Sequence, residues 1–272
     1  FLWDALYLGA YQLALMSQIP VHAALHETVE LASAFGRPGA KGFLNGVLRA
    51  LSMLVTQERT TKPGPDALPL EKGEYRRLTR PVLPDVASHP VEYLAVGFGL
   101  PDWIARRWSQ RYDGDECRRL GFWFAGAAPL TLRCNLLRTD RDALLYACRA
   151  AGFNVEAGVH PQAVRVHHAV PIRDLPGYEQ GWFAVQDEAS MQVASALAPA
   201  PAMTVLDLCA APGGKTTHLA ELMGNRGRIV ACDVDEKRLE IVATLAARLG
   251  VTIIETRRLM SDDDLGETFD EV

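Results

Sequence analysis

No stretch of this 272-residue chain approaches the ~20 consecutive apolar residues that a bilayer crossing needs, which argues against a membrane-spanning helix. The apolar N-terminal stretch carries Asp4 and no basic leader, so no export signal is expected. Cysteine is scarce. Cys117, Cys134, Cys148, Cys209 and Cys232 make no C-x-x-C pair and keep no regular spacing, which argues against a zinc site or a disulfide framework and fits a reducing cytoplasm. His22 and His26 stand four apart on one helical face, but with no third ligand they read as surface or packing residues. The expectation is a cytoplasmic monomer that uses neither metal nor membrane.

What is present supports folded domains. Hydrophobic residues make up 49% and charged residues 22% of the chain, enough for a packed core and against wholesale disorder. The length suggests roughly two domains. Net charge is −5, yet it is unevenly spread: residues 76–149 hold twelve Arg, no Lys and eight Asp or Glu, a local balance of +4 that leaves −9 elsewhere. Within that basic stretch, Arg106-Arg107-Trp108 and Arg111-Tyr112 interleave guanidinium and aromatic groups. Phosphate neutralisation and base stacking are what recognition of single-stranded RNA requires, so Arg106, Arg107 and Arg111 are candidate RNA contacts. The competing reading is a solvated amphipathic helix whose tryptophans, Trp103 and Trp108, face the core.

The most informative segment is Val205-Leu206-Asp207-Leu208-Cys209-Ala210-Ala211-Pro212-Gly213-Gly214-Lys215-Thr216, an apolar strand leading into a glycine turn and a helix. Such a turn brings free backbone N–H groups to the end of a parallel sheet, where an acidic or zwitterionic ligand can dock. A phosphate loop is excluded because Cys209 stands where its first glycine belongs. The dinucleotide fingerprint also fails, since Gly213 and Gly214 are adjacent and no third glycine opens the helix. A methyl-donor site remains. Asp233 ends the next apolar run, 228–233, and a carboxylate at the end of the neighbouring strand can accept both hydroxyls of a ribose. The alternative is an ordinary strand-turn-helix unit with a capping Asp. Residues 235–238 open the following helix, their early acids suited to its dipole or simply solvated.

Residues 206–216 resemble the first motif of the NOP2/Sun family of RNA 5-cytosine methyltransferases, which bind S-adenosylmethionine. The run Gly181-Trp182-Phe183-Ala184-Val185-Gln186-Asp187-Glu188-Ala189-Ser190-Met191-Gln192 resembles the preceding motif of that family, a helix beside the cofactor. The resemblance implies that Cys209, Ala210, Ala211, Pro212, Gly213, Gly214 and Lys215 line the cofactor, that Asp233 holds its ribose, and that Asp262 is the nearest candidate for the adenine-side acid. Upstream, three helical periodicities cover the first ~55 residues, too short to be stable singly. Residues 19–32 together with Gly42-Phe43-Leu44-Asn45-Gly46-Val47-Leu48-Arg49 resemble the antitermination factor NusB and the NusB-like domain fused to one bacterial methyltransferase; a generic helical bundle is the alternative. In that family the domain contributes to RNA binding.

Prolines 63, 65, 69, 81, 84 and 90 then read as a semi-extended linker. A helical segment runs from Val91 through Ala105 and Arg111, followed by a β-α-β pattern at 130–135, 141–151 and 163–166. This module is similar to the family's small RNA-recognition-like subdomain. Its Thr131-Leu132-Arg133-Cys134-Asn135 phrase matches the family's Thr-Leu-Arg-x-Asn, which implies that Arg133 and Asn135 organise the RNA side of the cleft; a short strand with a turn-forming Asn is the other reading. Phe124-Ala125-Gly126-Ala127-Ala128 departs from the polar residues usual just before it. The expected fold class is α/β: a NusB-like all-α bundle (1–60), a Pro-rich linker (61–90), a helical plus α+β RNA-recognition-like module (91–177) and the first half of a Rossmann-like class I methyltransferase sheet (178–272). Its strands are expected at 204–208, 228–232, 251–256 and from 268.

Cytosine C5 is a poor nucleophile, so this enzyme class first adds a cysteine thiolate to C6, lets C5 attack the sulfonium methyl, and then removes the C5 proton to expel the thiolate. The family's Asp-x-Pro-Cys and Thr-Cys or Pro-Cys motifs are absent. The catalytic cysteine is therefore expected beyond Val272 and the chain is expected to be a fragment open at both ends. Cys209, near a helix N-terminus, could have a lowered pKa, but it would face the donor rather than the base. The implied function is S-adenosylmethionine-dependent methylation of cytosine C5 in small-subunit (16S) ribosomal RNA. A non-catalytic RNA-binding or ribosome-assembly module is the alternative, and methylation of DNA or protein a third.

Overall fold

Small residues decide how the N-terminal helices meet. In α1 (Leu2–Leu15), α2 (Val21–Ala34) and α3 (Lys41–Leu54), the buried positions include Ala5, Gly9, Ala24 and Ala32 beside Leu13, Leu44 and Leu48. A Cβ on Gly9 would stand 2.8 Å from the Leu48 methyls, so the glycine lets α1 and α3 close on each other. The computed structural model describes residues 1–168, 170–260 and 265–272, and it divides into two units, 1–128 and 129–272.

In the first unit the expected proline-rich linker is a folded sheet. β1 (Val55–Thr60), β2 (Ala67–Pro69) and β3 (Tyr75–Leu78) pair antiparallel in the order β1-β3-β2. Proline density misled because Pro69 sits at a strand end and Pro63 and Pro65 in the connecting turn, where no ladder N–H is needed. Burial supplies the drive: Ala67 and Tyr75 pack on Tyr93, and the buried Arg76 donates to the Ala14 carbonyl at 2.9 Å, satisfying an orphan acceptor at the end of α1. The helix expected from Val91 to Arg111 is broken in two, α4 (Pro90–Phe98) and α5 (Asp102–Ser109), because Gly99 adopts φ +64° as a left-handed cap and Pro101 follows. α6 (Gly114–Ala125) starts on the Asp113 side chain, which accepts from Glu116 N.

The second unit holds two sheets. β4 (Leu130–Cys134), α7 (Arg141–Ala150), β5 (Val155–Ala157), β6 (Ala163–Val166) and β7 (Phe183–Val185) form an antiparallel sheet in the order β5-β6-β4-β7. Alternation divides its faces. Leu132, Cys134, Val164, Val166 and Phe183 pack on α7 through Leu144 and Cys148, while Arg133, Ala184 and Arg165 turn towards α8 (Glu188–Leu197) and α9 (Gly214–Leu222). The second sheet is parallel, β10 (Ile254–Arg258) beside β9 (Arg228–Asp233) beside β8 (Thr204–Asp207), with crossovers through α9 and α10 (Glu236–Leu249). The chain then returns to the free side of β8: Leu206 N donates to Glu271 O at 2.9 Å and Asp270 N to Thr204 O at 2.8 Å. Counting β8 as strand one, the order 3-2-1-4 is that of a doubly wound nucleotide-binding sheet, with its crevice at the carboxyl end of β8.

Candidate cofactor site

The turn after β8 is shaped by tight backbone bonds. Gly213 N donates to Ala210 O at 2.7 Å, and Ala210 N donates to Cys232 O at 2.8 Å, so the turn lies against the end of β9. Gly213 has φ +101°, and a Cβ there would stand 3.2 Å from Val242 Cα, so two independent constraints demand glycine. Thr216 Oγ1 donates to Asp207 Oδ2 at 2.7 Å, tying the first turn of α9 to the last residue of β8.

The start of α9 is unlike that of its neighbours. α7, α8 and α10 are each capped by an aspartate side chain, Asp140, Asp187 and Asp235, whereas α9 begins on Gly213 with no side-chain cap. Its first-turn N–H groups are left for a ligand acceptor. Asp233, at the end of β9, accepts from Asp235 N at 3.1 Å through Oδ1 and from Ala211 N at 3.3 Å through Oδ2. These backbone donors, the Asp235 amide first, and the Arg238 guanidinium 3.8 Å away hold its carboxyl below the usual carboxylate range, against the opposing effect of burial. An ionised carboxylate has lone pairs beyond those two bonds, so Asp233 can still accept ribose hydroxyls. The residues present therefore fit an adenosyl ligand with an acidic tail: a carboxylate acceptor at one strand end and an uncapped helix start beside it. Arg238 also donates to Ala211 O at 3.1 Å. Asp235 and Arg238 are thus part of the turn's scaffold rather than only solvated charge.

Exposed Cys209, Pro212 and Lys215 and the buried Ala210, Ala211 and Gly213 share this turn with the partly buried Gly214. Asp262 lies outside the described residues. Cys232 is buried, which pushes its thiol up, and burial does the same to Cys117, Cys148 and Cys134, the last to about 12.

The RNA-side expectations divide. Arg106 and Arg107 in α5 and Arg111 just after it are exposed and make no ion pair among the described residues; Arg111 lies over the Tyr112 ring at 5.5 Å. Trp103 is 65% exposed on the face shared with Arg106 and Arg107, against the expectation that it faces the core, whereas the half-buried Trp108 does pack on the Leu94–Ala105 cluster. Arg133 and Asn135 do not reach the surface at all; both are fully buried. β4 places Arg133 on the sheet face that α8 and α9 cover, and Asn135, the residue after the strand, is held by backbone carbonyls, so both bind protein rather than RNA. Asn135 Nδ2 donates to Gly181 O at 2.8 Å and to Leu249 O at 2.9 Å. Arg133 pairs with Glu221, whose carboxyl burial pushes up and the guanidinium pulls back. Residues 181–192 are likewise not one helix: Gly181 allows the backbone to pass the Arg248 carbonyl, 183–185 are β7, and α8 begins at Glu188.

The partners of Arg133 were missed because a charged residue in an alternating strand is ordinarily read as solvent-facing. Glu221 and Gln186 offered no motif of their own. The only usable signal was that Arg133 occupies a strand otherwise apolar at both neighbours.

Sheet order, uncapped helix and paired strand-end acid together define a class I methyltransferase fold. Comparison with known proteins narrows the class. Residues 194–272 match the 16S rRNA methyltransferase RsmB/F family, residues 2–53 the NusB family, and residues 100–173 the ferredoxin-like domain of RsmF/B-like methyltransferases. Probable ribosomal RNA small subunit methyltransferase B of Bacillus subtilis is 34% identical over 266 residues, covering 97% of this chain and 54% of that protein. Ribosomal RNA small subunit methyltransferase B of Citrobacter koseri is 35% identical over 250 residues, 89% of this chain and 50% of that one. A methyltransferase homologue from Pyrococcus horikoshii superposes with a TM-score of 0.57 at 30% identity, covering 62% of this chain and 56% of that structure. The chain belongs to the RsmB/F family of ribosomal RNA methyltransferases, and it spans about half the length of the curated relatives it matches. Among the described residues no helix is long and apolar enough to cross a membrane, and no group of three or more His, Cys, Asp or Glu could hold a metal.

Proposed function

We propose that this chain binds S-adenosylmethionine and serves methyl transfer to C5 of a cytosine in small-subunit (16S) ribosomal RNA. The observation that carries the reading is the uncapped N-terminus of α9 beside the carboxylate of Asp233, in a chain whose relatives are named as small-subunit ribosomal RNA methyltransferases. When bound, S-adenosylmethionine supplies an electrophilic methyl group on sulfur. The residues Cys209 to Lys215 shape the crevice, the first-turn N–H groups of α9 take the acidic tail, and Asp233 takes the ribose hydroxyls. Arg106, Arg107 and Arg111 contact phosphates, with Trp103 offering a face for a base. No nucleophile is assigned: Cys117, Cys134, Cys148 and Cys232 are buried, and Cys209 stands in the turn beside the donor. Asp262 is proposed for the adenine side.

Calorimetric titration with S-adenosylhomocysteine tests the cofactor half. The chain should bind, and Asp233→Asn should bind roughly tenfold to a hundredfold more weakly, the loss expected for hydrogen bonds to a charged group. No binding by the parent chain at millimolar ligand sinks the cofactor reading. Tritium release from 16S RNA labelled at cytosine C5 tests the chemistry in the active enzyme; methyl incorporation without release refutes the C5 assignment. Methylation of DNA or protein in preference to RNA refutes the substrate class, and RNA binding without any transfer favours the non-catalytic assembly module.

A further inference from the structure

The Arg133 guanidinium, brought by β4 from the ferredoxin-like sheet, is fully buried and spends all five of its N–H donors. Nε donates to Glu221 Oε2 at 3.1 Å and Nη2 to Glu221 Oε1 at 2.7 Å, a bidentate pair in which neither side chain is exposed. The other three donors go elsewhere. Nη1 donates to Gly214 O at 2.6 Å and to Gln186 Oε1, and Nη2 donates to Thr217 Oγ1 at 3.0 Å. Thr217 Oγ1 in turn donates to Gly213 O at 2.7 Å. The two carbonyls reached in this way belong to the two glycines that join the cofactor turn to α9.

We propose that Arg133 is a positioning residue for the cofactor turn, holding the Gly214 carbonyl directly and the Gly213 carbonyl through Thr217, so that the ferredoxin-like module sets the direction of the α9 N-terminus. The inference rests on the cofactor reading above and adds a residue outside the methyltransferase sheet to it. A two-glycine junction has little conformational preference of its own, because each glycine reaches many backbone conformations at small cost. A rigid, planar fork anchored on a buried carboxylate supplies the preference instead. Glu221, two turns along α9 from Gly214, holds the fork in place, and Gln186 closes its remaining side. Lysine has three donors on one flexible ammonium, two fewer than the five bonds made here, and lacks the planar fork that meets the Glu221 carboxylate side-on.

Loss of Arg133 alone strands the Glu221 charge and can unfold the unit, so the discriminating variant is the pair Arg133→Met with Glu221→Met. Replacing a buried ion pair by apolar residues of similar volume is often neutral in stability, which separates a structural role from a positioning one. Thr217→Val removes the relay to Gly213 together with the acceptor of one Nη2 N–H, leaving the Arg133–Glu221 pair and the Nη1 bond to Gly214 O in place, and Thr217→Ser restores the hydroxyl. Hydrogen exchange of the ligand-free chain is read first: segment 209–217 should exchange faster in the paired variant and in Thr217→Val, with β8 and β9 unchanged and Thr217→Ser like the parent. Affinity for S-adenosylhomocysteine is read second, and it should fall roughly tenfold in the paired variant, the equivalent of one hydrogen bond lost from the site's geometry. Unchanged exchange of 209–217 in Thr217→Val and in the paired variant overturns the proposal. A parent chain that binds no ligand while the exchange pattern holds would fault the cofactor reading and leave the positioning role standing.

Discussion

Lowering the pH should destabilise the second unit through one histidine. His218 lies in α9 with no exposed surface, and its Nε2 pairs with Gln162 Oε1 at 2.9 Å. Gln162 Nε2 is already committed to Cys134 O at 2.9 Å, so its oxygen faces the ring and the ring must donate from Nε2. Nδ1 is buried without a partner. Burial first, then the Arg133 charge and His160, push the His218 pKa down from 6.5 to about 3. Between those two values the unfolded chain binds a proton that the folded chain refuses, so stability falls as pH falls through this window. Taking the unfolded value near 6.5, acidification from pH 7 to pH 5 removes about 2 kcal/mol. His160, whose pKa burial also lowers, adds in the same direction. With a urea slope of about 1–3 kcal/mol/M, the midpoint should drop by roughly 1 M. The assay is urea unfolding of the parent and His218→Gln at both pH values. The glutamine variant can keep a donor towards Gln162 but does not titrate, so its loss should be smaller by about 2 kcal/mol. Equal losses in the two proteins would refute the account of a neutral buried imidazole.

Other outcomes follow from the turn and from the exposed arginines. Gly213→Ala should cost ~1–3 kcal/mol, from the positive φ and the contact with Val242, and thermal melting together with S-adenosylhomocysteine titration checks it; wild-type values for both would refute the geometry. Arg106→Ala and Arg107→Ala should each lower the slope of RNA affinity against salt by about 0.7, the share of one phosphate contact on a single strand. Trp103→Ala should weaken binding by ~1–3 kcal/mol without changing that slope, as expected for a stacked base, and a slope change would reassign it.

The helices at the N-terminus, the three parallel strands and the turn between β8 and α9 were legible because their signals are local. Apolar spacing of three and four marks α1 to α3, and a strand that runs into Pro212-Gly213-Gly214 declares its own turn. Other elements were hidden. β2 is three residues long and ends on Pro69, so neither periodicity nor propensity could reveal it. β5 and β7 are equally short and become strands only by pairing with β6 and β4. The break after Gly99 was readable in principle from Gly99-Leu100-Pro101, but the apolar spacing runs across it.

Placement of charge was the least legible property. Arg106 and Arg133 look alike as residues, yet one lies on a helix face in solvent and the other beneath two helices, saturated by five hydrogen bonds. Trp103 and Trp108, five apart in one helix, likewise went to opposite environments. By itself the sequence determined the class of fold and the exclusion of phosphate-loop and dinucleotide sites, because each depends on residues adjacent along the chain. Only the tertiary structure decided that the Thr-Leu-Arg-Cys-Asn strand faces the methyltransferase layer and that its arginine grips the glycine turn. That outcome depends on which face of β4 meets α9, 81 residues away from Arg133 at Gly214, and no local pattern encodes a contact of that kind.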